Sequence, residues 1–103
     1  MIEDKKNIFF VGIGGIGMSA LARYFNQQGV AIAGYDKTPS PLTDKLQEEG
    51  IEILFEDDEN RIPSAYKNKE NTLVCITPAI PLNAKIYHFF KQQGFEIKKR
   101  AEI

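Results

Sequence analysis

Residues Val11 to Ala22 read Val-Gly-Ile-Gly-Gly-Ile-Gly-Met-Ser-Ala-Leu-Ala, a glycine-rich turn set between an apolar run and an amphipathic stretch. That order restricts the chain to a strand turning sharply into a helix. Before the turn, Asn7-Ile8-Phe9-Phe10-Val11 is short and continuously apolar, the pattern of a parallel strand buried on both faces. After it, Met18, Leu21, Ala22 and Phe25 recur at i, i+3, i+4 and i+7, one face of a helix. Gly12, Gly14 and Gly17 take the G-x-G-x-x-G spacing of a nucleotide-phosphate turn. On this reading Gly12 permits the tight turn, Gly14 lets a pyrophosphate approach the backbone, and Gly17 lets the helix lie close against the sheet. The free N–H groups of the first helical turn and the helix dipole then supply an anion site without a charged side chain.

The same strand-then-helix alternation continues. Gly29 closes the first helix, and Ala31-Ile32-Ala33-Gly34-Tyr35 reads as a second strand ending at Asp36. Asp36 stands nineteen positions after Gly17, the usual distance to the acid that meets a nucleotide's sugar or base. Ser40 is placed to cap a second helix with Pro41 in its first position, and Leu42 and Leu46 are expected to face the core. Gly50 ends that helix and Ile51 to Phe55 forms a third strand. Residues 56–71 are polar and charged, a loop with one short helix expected near Arg61 to Tyr66. Its Asp57 and Asp58 read as a solvated acidic turn. Asn71 to Ile76 forms the fourth strand, and the Thr77-Pro78-Ala79-Ile80-Pro81 loop leaves its carboxyl end. Asn83 is placed to cap a third helix with a buried stripe of Ile86, Phe89 and Phe90, and Gly94 ends it before a fifth strand, Phe95 to Lys98.

These repeats predict an α/β fold: a Rossmann-like, doubly wound, five-stranded parallel sheet of order 3-2-1-4-5 with helices on both faces. Strands 1 and 4 are then neighbours at the topological switch point, so the Thr77 loop is expected to face the glycine turn.

With 103 residues, residues 1–103 are expected to form one domain, large enough to bury a core but short for a complete enzyme of this class. Thirteen basic and fourteen acidic side chains leave a formal charge of −1, which gives nucleic-acid binding little support. No apolar run approaches a membrane span, and the charged amino terminus, Met1 to Lys6, is not followed by a signal-type core. The expected location is cytoplasmic, with no membrane partner. The single cysteine, Cys75, lies in an apolar strand and reads as a core residue, and the single histidine, His88, has no partner at ligand spacing, so no metal site is expected. No Gly-x-x-x-x-Gly-Lys-Ser/Thr loop occurs, and no Ser-His-Asp or Cys-His set can be assembled. The expectation is a binding module of a longer enzyme, with no catalytic residue or cofactor of its own.

The run Phe10-Val11-Gly12-Ile13-Gly14-Gly15-Ile16-Gly17-Met18-Ser19 closely resembles the opening of the Mur ligases, in particular the branch that joins L-alanine to UDP-N-acetylmuramate in peptidoglycan precursor synthesis. Gly34-Tyr35-Asp36 is similar to that branch's Gly-Ser-Asp, with Tyr35 in the serine position, and Pro39-Ser40-Pro41-Leu42-Thr43 to its Pro-x-Pro-Leu/Val-Thr. Lys99-Arg100-Ala101-Glu102-Ile103 resembles the Arg-Arg-Ala-Glu-Met that closes the family's first domain. The loop Thr77-Pro78-Ala79-Ile80 departs toward the Ser-Pro-Gly-Ile of the sister ligase that adds D-glutamate, and Pro78 removes one backbone donor.

The resemblance implies an amino-terminal UDP-sugar-binding domain whose partner domains bind ATP, Mg2+ and L-alanine. It implies that Gly12, Gly14, Gly15, Ile16, Gly17, Met18 and Ser19 surround the pyrophosphate of UDP-N-acetylmuramate. Asp36, with a backbone N–H of Lys37 or Thr38, would read either the uracil edge or a ribose hydroxyl. Thr77, Ala79 and Ile80 would approach the ligand from the neighbouring loop. Three other readings stay open: an NAD(H)-binding regulatory module, the related ligase that recycles a ready-made tripeptide, and a structural interaction domain.

Overall fold

The computed structural model describes residues 5–81 and 83–103, so the first four residues of the charged amino-terminal stretch lie outside it. Strand β1 (Asn7–Val11) runs into helix α1 (Ile16–Gln27), followed by β2 (Ala31–Tyr35), α2 (Pro41–Glu48) and β3 (Glu52–Leu54). Two 3-10 turns, Glu59–Arg61 and Ser64–Lys67, lead to β4 (Thr72–Ile76), α3 (Lys85–Gln92), β5 (Glu96–Lys99) and a last 3-10 turn, Arg100–Glu102. All five strands are parallel, in the order β3-β2-β1-β4-β5 expected from the sequence.

Register is what positions a site in this sheet. Val11 pairs with Tyr35 on one side and with Ile76 on the other. The three central strands therefore end level, and the loops beginning at Gly12, Asp36 and Thr77 leave the sheet side by side.

The continuous apolar runs bury both sheet faces, as parallel strands require. Alternate residues of β1 divide between two cores. Ile8 and Phe10 join Met18, Ala22 and Leu46 under α1 and α2, whereas Phe9 and Val11 pack with Ile86 and Phe90 of α3. The Phe9 and Phe90 rings lie 5.1 Å apart and those of Phe90 and Phe95 4.8 Å, within the range of favourable aromatic pairs. Ile62 and Tyr66, from the segment expected to be an ordinary polar loop, are buried against the same face as α3. The single helix expected there is two 3-10 turns broken at Pro63.

Helix α2 starts as expected. Ser40 accepts from the Thr43 N–H, and the Thr43 hydroxyl accepts from the Ser40 N–H at 2.8 Å, a reciprocal capping box with Pro41 behind it. This cap corrects the expected stripe. It turns Thr43 inward to full burial beside Leu46 and leaves Leu42 38% exposed. The outer strands are also trimmed: β3 omits Ile51 and Phe55, while β5 starts one residue later than expected. Arg23 of α1 grips Glu49 at the end of α2 at 2.9 Å, which fixes the two helices on their common face.

Candidate functional site

Gly12 turns the chain off β1 with φ +90°, a backbone conformation that side chains disfavour. The N–H groups of Gly12 and Ile13 both donate to the Tyr35 carbonyl, at 2.7 and 3.0 Å, which pins the turn to the end of β2. A β-carbon on Gly12 would overlap Cγ2 of Thr77, whose own N–H donates to the Val11 carbonyl at 3.1 Å. The Thr77 loop thus faces the glycine turn, as the strand order requires.

Asp36 holds this arrangement together. Its Oδ2 accepts from the Gly14 N–H at 2.7 Å and its Oδ1 from the Thr38 N–H at 3.0 Å. One carboxylate therefore clamps the glycine turn to the β2–α2 loop. A β-carbon on Gly14 would lie 2.6 Å from Oδ2, so the glycine is required by Asp36 itself, whatever else approaches the turn.

Helix α1 begins without a side-chain cap and without an acidic residue in its first turn. The Ser19 N–H reaches the Gly15 carbonyl at 2.8 Å, while the N–H groups of Ile16, Gly17 and Met18 meet no acceptor among the described residues. Three donors and the positive end of the helix dipole consequently face out of the fold beside the turn.

The atoms nearest a β-carbon built on Gly17 belong to the Arg100 side chain, Cζ and Nε at 2.9 Å. The third glycine admits the guanidinium of a residue at the end of β5, which spacing within the turn could not reveal.

A cleft of about 550 Å3 opens at the carboxyl ends of the central strands. Gly12, Asp36, Lys37, Thr77, Ala79 and Ile80, all singled out in the sequence, line it. The remaining candidates sit elsewhere. Gly14, Gly15 and Gly17 do not line the cleft, and the Thr38 N–H is committed to Asp36. Ile16 and Ser19 border a separate groove of about 340 Å3 between α1 and α2. The Met18 side chain is buried in the core, and the Ser19 hydroxyl donates back to the Ile16 carbonyl at 3.1 Å. In the neighbouring loop, the Ala79 N–H points to Thr77 Oγ1 at 3.4 Å and the Ile80 N–H to the Thr77 carbonyl at 3.2 Å. That loop therefore presents the Thr77 hydroxyl and apolar surface to the cleft more than backbone donors.

The cleft also takes in Tyr35 and Asp57, which sequence reasoning did not select. Asp57 is not the solvated turn residue expected. Its carboxylate accepts from the N–H groups of Lys85 at 2.7 Å and Ile86 at 2.9 Å, capping α3 from across the fold. Asn83, expected in that role, makes no capping bond, and the cap position is Ala84. Burial, then the carboxylates of Asp57 and Asp36, raise the Tyr35 phenol above its ordinary value of 10.0. It stays neutral at physiological pH and can donate from the cleft wall. Among the described residues no three His, Cys, Asp or Glu side chains converge as metal ligands.

A family model described as "Mur ligase family, catalytic domain" matches residues 7–103. The chain is 57% identical over 102 residues to the UDP-N-acetylmuramate--L-alanine ligase of Flavobacterium johnsoniae, an alignment covering 99% of this chain and 22% of that protein. It is 50% identical to the enzyme of that name from Porphyromonas gingivalis, over 95% of this chain and 22% of the relative. Among solved structures, the UDP-N-acetylmuramate-alanine ligase of Thermotoga maritima superposes with a TM-score of 0.82 at 29% identity, over 93% of this chain and 21% of that one. A ligase from Neisseria meningitides named for a tripeptide substrate shares the fold, with a TM-score of 0.78 at 22% identity, over 93% of this chain and 29% of that one. The chain spans about a fifth of the length of the curated relatives it matches.

Proposed function

The chain belongs to the Mur ligase family, and from that premise we propose that it is the amino-terminal, UDP-N-acetylmuramate-binding domain of a cytoplasmic ATP-dependent ligase that joins L-alanine to this sugar nucleotide. The observation that carries this reading is the Asp36 clamp, which sets the 550 Å3 cleft beside the three unpaired N–H groups of α1. The pair suits a nucleoside with a diphosphate attached.

In this arrangement the uridine occupies the cleft and the diphosphate lies over the N–H groups of Ile16, Gly17 and Met18. Each Asp36 oxygen accepts one N–H and retains a lone pair for a further donor, such as uracil N3–H or a ribose hydroxyl. Thr38's N–H is already held by the carboxylate, so Lys37 is the backbone donor left to pair with a uracil carbonyl. The contribution of the domain is affinity and orientation of the sugar nucleotide.

ATP and Mg2+ belong to the reaction assigned to the whole enzyme. The residues present do not fit them: the chain has no Gly-Lys-Ser/Thr phosphate loop, and no carboxylates converge as ligands among the described residues. No step of phosphoryl transfer is assigned to this chain's side chains.

An amide chemical-shift titration with UDP-N-acetylmuramate, UDP and NADH tests the reading. Saturable shifts at Gly14 to Ser19, Asp36 and Thr77 to Ile80 with both uridine compounds, and none with NADH, are expected. A response to NADH alone would replace the sugar-nucleotide site with a dinucleotide site.

A further inference from the structure

We infer that Tyr35 is a ligand-contacting residue of the cleft, whose hydroxyl donates a hydrogen bond to an acceptor oxygen on the nucleoside part of the ligand. The inference rests on the sugar-nucleotide reading and assigns to it a side chain that stands where the resembling branch carries a serine.

Tyr35 is fixed along its whole length up to the hydroxyl. In the sheet it lies between Val11 of β1 and Leu54 of β3. Its carbonyl accepts from the N–H groups of both Gly12 and Ile13, so its backbone is part of what anchors the glycine turn. The ring belongs to the core on the α3 side of the sheet, and the residue is only 7% exposed. Helix α1 packs on the opposite face. A ring fixed there cannot swing toward the N–H groups of Ile16, Gly17 and Met18, and its contact is therefore with the nucleoside and not with the diphosphate.

The hydroxyl is the one part that folding leaves unanswered. No hydrogen bond among the described residues engages it, although no enclosed side-chain oxygen or nitrogen among them lacks a partner. The hydroxyl therefore opens on the cleft that Tyr35 lines. Two acids stand near, yet neither receives its proton: Asp36 accepts from Gly14 and Thr38, and Asp57 from Lys85 and Ile86. The same acids, together with burial, keep the phenol protonated, which preserves its single donor.

Reach and rigidity explain what the tyrosine adds. A serine hydroxyl sits one bond from Cβ and would end at the strand, whereas the phenol carries its donor a ring's length further, into the cleft. Because the ring is already immobilised by the core, little side-chain freedom remains to be lost when a ligand binds. Two kinds of oxygen on a uridine present the same acceptor chemistry, the uracil carbonyls and the ribose hydroxyls, and analogues separate them.

The test is calorimetric or NMR titration of the 103-residue chain and its Y35F variant with uridine, UDP and inorganic pyrophosphate. Y35F keeps the ring and removes only a group without a protein partner, so its urea midpoint is expected to be no lower than that of the wild type. Its affinity for uridine and for UDP is expected to fall by about three- to tenfold, the loss of one neutral hydrogen bond, with pyrophosphate binding unchanged. A ring that served the core alone would leave all three affinities as they were, and that result overturns the inference. The partner oxygen is then found with 2′-deoxyuridine, 3′-deoxyuridine, 2-thiouridine and 4-thiouridine: wild type and Y35F should bind equally the one analogue in which the acceptor is missing or weakened. A loss that persists undiminished for all four shows that the hydroxyl meets no such oxygen and overturns the inference as well. A wild-type chain that binds neither uridine nor UDP instead overturns the site reading, and this inference with it.

Discussion

Asp36 is asked to hold a loop and to recognise a ligand with the same two oxygens. Its bonds to the Gly14 and Thr38 N–H groups mean that Asp36→Asn cannot be a neutral probe of recognition. An amide offers one acceptor and turns its NH2 toward the other backbone donor. That variant is expected to lose about 1 to 3 kcal/mol of stability, measured by urea unfolding, in addition to any loss of ligand affinity. Cys75 makes a different prediction at this scale. Burial, against a smaller opposing pull from Arg100, pushes its thiol from 9.0 up to about 12. Above pH 9 the unfolded chain releases this proton while the folded chain keeps it. Stability therefore falls as pH rises from 9 toward 12, with a limiting slope of about 1.4 kcal/mol per pH unit. Urea midpoints at pH 8 and 9.5 should converge in Cys75→Ala. Tyr35 and Tyr66, both raised by burial, add a decline of the same sign above pH 10. A wild-type midpoint that does not move between these two pH values would contradict the assignment.

At the scale of elements, helix α3 owes its start to a residue 28 positions before it. Asp57→Ala is expected to cost about 1 to 2 kcal/mol, the range for loss of a helix cap, whereas Asn83→Ala should be nearly silent in the same denaturation experiment. The contrast marks the boundary of what sequence made legible. Signals within one element were readable: the apolar run of β1, the Ser40-Pro41 start of α2, and the helix-ending glycines at 29, 50 and 94 all stand where periodicity and local chemistry place them. Signals that cross elements were not. Asp57 reaches α3 only after the chain has crossed the sheet, and Arg100 comes beside Gly17 only because the 3-10 turn that carries it packs against α1. Leu42 failed for a subtler reason. Its spacing from Leu46 fits a buried stripe, but the capping box rotates the stripe onto Thr43.

For the whole molecule, the division of β1 and β4 between two cores sets how the fold comes apart. Ile8 and Phe10 belong to one face and Phe9 and Val11 to the other, as do Leu73 and Cys75 against Val74 and Ile76. Neither core can dissolve without pulling its strands from the other. A single cooperative transition is expected, with far-UV circular dichroism and tyrosine fluorescence tracing one superimposable urea curve; two separated midpoints would show that the faces unfold independently. The strand order and the location of the cleft were legible because both follow from where crossovers reverse. The occupants of the cleft wall were less so, since Tyr35 and Asp57 are chosen by register and by a distant cap. Two carboxylates, Asp36 and Asp57, line the cleft, and left bare they would repel a phosphate nearby. Yet all four of their oxygens face backbone N–H dipoles, at the glycine turn, at Thr38 and at the start of α3. Much of their field ends inside the protein, so acids can line the cleft without barring an anion from the helix terminus beside it.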